Sequence, residues 1–150
     1  GYRLNVVDAA CGSRFYNFEK TKDGGTTWTE VNGDPFDQNM GVAEGLLFFT
    51  NDFGFAGLTY ASEDFSMLYV TKDGGETFER LELPLDTVTE LPSEAAELGF
   101  TIEDYDYHTM PQIVDGKMEI YLQTDAMEQQ GIIFQSEDNG VTWEYAGCKE

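Results

Sequence analysis

Positive charge is what this sequence has least of: eight Lys and Arg stand against 29 Asp and Glu, a net charge of −21. So acidic a chain repels phosphate backbones and anionic lipid surfaces, which removes nucleic acid and membrane surfaces from its expected partners. The same acidity is compatible with cations, basic peptides or Ca²⁺, but solubility explains it without a ligand, and no cofactor or metal is expected. No apolar run is long enough for a membrane-spanning helix, and Gly1-Tyr2-Arg3-Leu4 does not read as a signal peptide. An already removed leader is compatible with the extracellular or cell-envelope setting expected below.

Histidine occurs once and cysteine twice. General-base chemistry that depends on imidazole would have to use His108. A Cys11–Cys148 disulfide would tie the two ends of the sequence together and suit an oxidising compartment, while two unpaired thiols are the alternative. The Gly-x-Ser-x-Gly elbow, the phosphate-cradling glycine loop, His-Glu-x-x-His and Cys-x-x-Cys are all absent. What remains is an ordinary apolar share of 41% with 14% aromatics, in a length that suits one globular domain over residues 1–150.

One pattern occurs three times. It is Thr21-Lys22-Asp23-Gly24-Gly25-Thr26-Thr27-Trp28, then Thr71-Lys72-Asp73-Gly74-Gly75-Glu76-Thr77-Phe78, then Ser136-Glu137-Asp138-Asn139-Gly140-Val141-Thr142-Trp143. The aspartates stand 50 and 65 residues apart, periods typical of propeller blades or solenoid units. The chemistry is local: the Asp carboxylate can accept from N–H groups of its own turn, and the glycine two residues later supplies a positive φ. The leading hydroxyl adds a further local bond, and the closing aromatic can fold back over the hairpin. A rigid hairpin follows.

Short aromatic and β-branched runs flank each motif, such as Ser66-Met67-Leu68-Tyr69-Val70 before the second and Thr77-Phe78-Glu79-Arg80-Leu81 after it. Two earlier runs, 45–50 and 53–60, complete a four-stranded unit. In the third repeat Asp115-Gly116 between 112–114 and 117–122 is a two-residue hairpin signal. The first repeat has only one run, Arg3-Leu4-Asn5-Val6-Val7, ahead of its motif strand and so lacks an innermost strand. Pro92 through Gly99, with Ser93 as the cap and Gly99 as the stop, reads as one or two helical turns. The expectation is an all-β protein of antiparallel four-stranded blades in about three repeats, roughly 1–33, 42–83 and 100–147, forming a partial or oligomer-completed β-propeller.

The three motifs resemble the Asp-box, or bacterial neuraminidase repeat, of sialidases, xyloglucanases, sortilin-type receptors and photosystem II assembly factors. That resemblance implies a β-propeller with the boxes on the outer rim of each blade and ligands at the central axis. It makes Thr21, Asp23, Gly25 and Trp28, Thr71, Asp73, Gly75 and Phe78, and Ser136, Asp138, Gly140 and Trp143 structural residues. A sialidase of this kind would need an arginine triad, but the three arginines are Arg3, Arg14 and Arg80, and none matches the family's pattern.

One further segment invites a ligand. Were Glu103-Asp104-Tyr105-Asp106-Tyr107-His108 extended, Asp104, Asp106 and His108 would share one face as cation ligands, with Tyr105 and Tyr107 on the other as platforms for a sugar ring. The plainer reading is an acidic connection whose tyrosines pack against a blade. The loop 32–39 reads as turn chemistry, and Phe48, Phe49, Phe53 and Phe55 as core. The expected function is a non-catalytic extracytoplasmic module that binds a glycan or a protein, with a homo-oligomer or further repeats closing the ring. The alternative is a glycosidase-like or sialidase-like hydrolase whose site is incomplete in this chain.

Overall fold

The computed structural model describes all 150 residues, from Gly1 to Glu150. The chain is all-β and antiparallel, and it divides into two compact units: residues 1–62 with 67–81, and residues 63–66 with 82–150. The charge is divided unevenly between them, with 18 acidic against two basic residues in the second unit and 11 against six in the first.

The first unit holds two sheets. One is three-stranded in the order β1 (Tyr2–Ala10), β2 (Ser13–Lys20) and β3 (Thr29–Asn32). The other is four-stranded in the order β4 (Val42–Phe48), β5 (Gly54–Thr59), β6 (Ser66–Thr71) and β7 (Glu79–Arg80). The first repeat accordingly has one strand fewer than the four-stranded sheet: β1 pairs only with β2, and its residues are exposed or half-buried along its whole length. The alternation of β2 explains its packing, because Tyr16 and Phe18 turn into the core while Glu19 and Lys20 mark the way out. Phe18 joins the two sheets, stacking on Phe48 with ring centroids 5.7 Å apart and meeting Phe78 edge-on at 5.4 Å. Phe55 meets Phe49 and Phe53 edge-on; of the run expected in the core only Phe55 is fully buried, while Phe49 is 36% exposed.

The second unit centres on one five-stranded sheet. Its path runs β12 (Glu144–Lys149), β11 (Gly131–Ser136), β10 (Lys117–Gln123) and β8 (Tyr107–His108), and β9 (Gln112–Val114) pairs with β10 as well. The β9–β10 turn is the Asp115-Gly116 hairpin, both residues at positive φ (49° and 81°) as a two-residue turn of this hand requires. Met118, Ile120 and Leu122 alternate inward to meet Ile132 and Phe134 in the core. The short helix α1 (Glu94–Leu98) follows Pro92 and ends at Gly99 in the left-handed region, φ 75°. Ser93 does not cap it through its side chain; its hydroxyl and amide instead engage the Glu150 carboxylate.

Gly75 carries the tightest constraint in the first unit. At φ 92° it sits against the Phe18 ring, and a Cβ there would fall 2.1 Å from Cε1. Gly25 has the same φ in the first repeat, but a Cβ there would meet only Trp28, at 3.6 Å. Gly25→Ala is expected to cost about 1–2 kcal/mol of backbone strain, and Gly75→Ala about 1–3 kcal/mol more for overpacking. Chemical denaturation of the two variants side by side checks this; equal losses would mean that the Phe18 contact carries no weight.

Candidate functional site

The three repeated turns are built alike, each in the hairpin that leads to an edge strand: β2–β3, β6–β7 and β11–β12. In the first, the Thr21 hydroxyl donates to Asp23 Oδ1 at 2.8 Å and accepts from the Gly25 amide at 2.9 Å. Asp23 then accepts from the Thr27 amide at 2.8 Å and from its hydroxyl at 2.6 Å. The second turn repeats this with Thr71, Asp73, Gly75 and Thr77, and the third with Ser136, Asp138, Gly140 and Thr142. Two successive residues lie in the left-handed region each time, Gly24-Gly25, Gly74-Gly75 and Asn139-Gly140. Trp28 folds back so that its ring N–H reaches the Gly25 carbonyl at 3.1 Å.

These bonds fix the carboxylates electrostatically. The Thr27 hydroxyl and amide, with the Thr21 hydroxyl, lower Asp23 to a pKa of about 2, and Thr142 and Ser136 do the same for Asp138. At Asp73 partial burial pushes upward, but Thr77 and Thr71 outweigh it and the carboxyl is again lowered. All three carboxylates spend their acceptor capacity on their own turns.

The segment before His108 is extended only at its end, in β8, and not over 103–106. Residues Ile102–Asp104 form a 3-10 turn closed by a capping box, in which Asp104 accepts from the Thr101 amide at 2.7 Å and from its hydroxyl at 3.0 Å. The predicted faces of Asp104, Asp106 and His108 against Tyr105 and Tyr107 therefore do not form. Tyr105 and Tyr107 are 1% and 7% exposed, core residues rather than open platforms. His108 Nδ1 lies 3.2 Å from the carbonyls of both Ser66 and Asp106, so this nitrogen is the donor. The His108 amide also meets Ser66 Oγ at 2.6 Å, which anchors β8. Asp106 is raised by burial, with Asp64 and Asp104 adding repulsion. No three His, Cys, Asp or Glu side chains are grouped so as to hold a metal ion.

Neither cysteine is in a disulfide. Cys11 is exposed in the β1–β2 turn at φ 51°, and Cys148 donates to the Glu90 carbonyl at 3.3 Å. The loop 32–39 behaves as turn chemistry: Asn32 Oδ1 accepts from the Asp34 amide, Asp34 accepts from the Gln38 amide, and Phe36 is buried.

The second unit's sheet brings two groups of the third repeat turn, Asp138 and Thr142, together with polar groups that the repeat pattern did not single out. A groove of about 520 Å³ is lined by Lys117, Gln135, Glu137, Asp138, Thr142 and Glu144, with Tyr145 and Ala146 at its end. Along β10 the residues that alternate away from the core are Lys117, Glu119, Tyr121 and Gln123. Glu119, only 6% exposed, accepts from the Gln135 amide at 2.6 Å and from the Tyr121 hydroxyl at 2.7 Å. Burial first, and then the Glu119 bond and charge, raise the Tyr121 phenol to about 12. Lys149 lies 4.9 Å over the Tyr121 ring, and Lys117 pairs with Glu137 at 2.6 Å. The result is a row of oriented carboxylate, amide, phenol and ammonium groups on rigid strands. Alternation in Lys117–Gln123 was the available signal for it; the cross-strand partner Gln135 depends on register and was not.

No known family profile and no curated protein matches this chain.

The low pKa of the turn aspartates sets a pH response. Unfolded, Asp23 and Asp138 titrate near 3.8; folded, near 2. Their stabilisation is thus complete above the unfolded value and is lost as pH falls through this window. The protein is expected to keep a constant lead in melting midpoint over Asp23→Asn combined with Asp138→Asn down to about pH 4 and to lose it between about pH 4 and pH 2, since the raised Asp106 and Glu94 act on both alike. Asp73→Ala at neutral pH is expected to cost about 1–2 kcal/mol, as does loss of a comparable side-chain cap; an unchanged melt would contradict the clasp.

Proposed function

We propose that this protein is a non-catalytic extracytoplasmic interaction module built from Asp-box blades of a partial β-propeller, and that the groove over β10–β12 takes a glycan. The observation that carries the reading is a division of labour among carboxylates. Asp23, Asp73 and Asp138 are consumed by their own turns, while Glu119, Gln135, Tyr121, Lys117 and Glu144 stand on one sheet with their geometry set by β pairing. In the groove itself, Gln135, Glu137 and Glu144 with Tyr145 at its end are suited to sugar hydroxyls and the apolar face of a pyranose. The sheets of three, four and five strands supply about three blades, fewer than the four to eight with which propellers close. A second copy or further repeats would supply the others, and sedimentation separates these, because a two-chain ring has twice the 16.8 kDa chain mass.

A glycan array followed by titration calorimetry tests the groove. Lys117→Ala and Glu144→Ala are each expected to weaken binding of the array's best ligand about tenfold, a loss of roughly 1.4 kcal/mol, with little change in melting. Fluorogenic glycosides run in parallel test the hydrolase reading. Turnover that disappears with Glu144→Gln would replace the binding-module reading, and glycan binding indifferent to both alanine variants would refute the groove.

A further inference from the structure

The first unit leaves a strand edge open. Counted back from its repeated turn, β1 holds the place of β5 in the four-stranded sheet and of β10 in the five-stranded one. There β4 covers the far edge of β5, and β8 and β9 together cover that of β10, whereas β1 has no strand beyond it. Gly1 and Thr21 exchange both backbone bonds, at 2.9 and 2.8 Å, and antiparallel alternation then directs the amides and carbonyls of Arg3 and Asn5 toward β2. Those of Tyr2, Leu4 and Val6 point the other way, and no backbone partner meets them.

The open stretch has the make-up of an edge that accepts a strand. Brevity, proline and charge are what blunt an edge, and β7 and β8 are only two residues long. β1 runs nine residues without proline, and Tyr2 and Val6 are 41% and 47% exposed, with Leu4 half-buried between them on the same face. A register shift after Val6 ends the regular edge, so the ladder on offer runs from Tyr2 to Val6. Arg3 is the single charge in it. It lies on the other face, bonded to Glu19 and stacked on Trp28. Copies of a chain with net charge −21 repel over most of their surface, but two copies can share this edge without opposing like charges.

We infer that β1 pairs antiparallel with β1 of a second copy, about a two-fold axis at Leu4. In that register Tyr2 lies opposite the second copy's Val6, Leu4 opposite its Leu4 and Val6 opposite its Tyr2, so every open amide finds a carbonyl. Centring the axis on Asn5 instead would set Tyr2 against the shifted stretch at Asp8 and leave its groups unmatched. The apolar side chains meet on one face, and on the other Arg3 faces the second copy's Asn5. Two three-stranded sheets merge into a continuous one. The contact uses neither the glycan groove nor ring closure, in which further blades stand beside the first sheet and do not extend it.

Sedimentation of the full chain at physiological salt is expected to show a monomer of 16.8 kDa passing to a dimer with a Kd of about 10–100 µM, as suits so small a contact. NMR of the unaltered chain reads the register. Between about 10 µM and 1 mM the amide protons of Leu4 and Val6 should move downfield and exchange about fivefold more slowly, whereas those of Arg3 and Asn5, already bonded to β2, should barely shift. Val6→Pro removes an outward N–H that β2 does not use and should weaken the dimer at least about tenfold. Val6→Thr keeps the amide and the branched shape and should weaken it less than about threefold; melting curves of both variants show that the monomer fold is kept. A protein still monomeric at about 1 mM, or equal weakening by Val6→Thr and Val6→Pro, would overturn the proposal. So would a dimer whose Leu4 and Val6 amides do not shift or one that survives Val6→Pro, and either result would assign the association to ring closure or another surface.

Discussion

A hydroxyl, a carboxylate and two backbone amides close each of the three repeated turns, and the sheets depend on that closure. Glycine fills five of the six consecutive left-handed positions at little steric cost, and the remaining cost is that of turn amides left without an acceptor. The Asp side chain offsets the cost by accepting from the Thr that follows, while the leading Thr or Ser satisfies the glycine amide. The turn's own side chains then satisfy most of its polar groups, and strands as short as β7 (Glu79–Arg80) can be held at a sheet edge. The bonds are local, so the motif tolerates differences in what precedes it: two strands before the turn in the first sheet, three in the second, and a split inner strand in the third.

That self-sufficiency also bears on function. A carboxylate pulled down to a pKa of about 2 by three donors is a poor general acid and has little acceptor capacity left for a ligand. The available chemistry lies on the strands and on α1. In the second unit it divides into two kinds of surface, a polar row over β10–β12 organised by Glu119 and an apolar trough beside α1 rimmed with acid. The concentration of 18 acids against two bases in that unit gives both surfaces a negative potential.

Much of the architecture was legible in the chain because its causes are short-ranged. The Asp115-Gly116 turn, the α1 stop at Gly99 and the box geometry all follow from residues within a few positions of one another. In the His108 segment the plainer of the two sequence readings, tyrosines packed into the protein, is the one the fold adopts, for the complementary reason. Alternation over Asp104–His108 suggested a strand, but Thr101 and Asp104 form a capping box that winds the backbone into a 3-10 turn, and Tyr105 is drawn into the core. A local hydrogen-bonding alternative and a large apolar burial together outweighed the period-two pattern.

By itself the sequence determined the three self-closing hairpins, the antiparallel all-β class, the missing strand of the first sheet and the sign of the surface charge. Each of these depends on residue type and spacing along a few consecutive positions. Only the tertiary structure decided that Gly75 must be bare because Phe18 lies against it, that Gln135 and Tyr121 converge on Glu119, and that Ser93 reaches Glu150 instead of capping α1. Those contacts join residues far apart in the chain, and their existence depends on strand register and core packing, which no local pattern encodes.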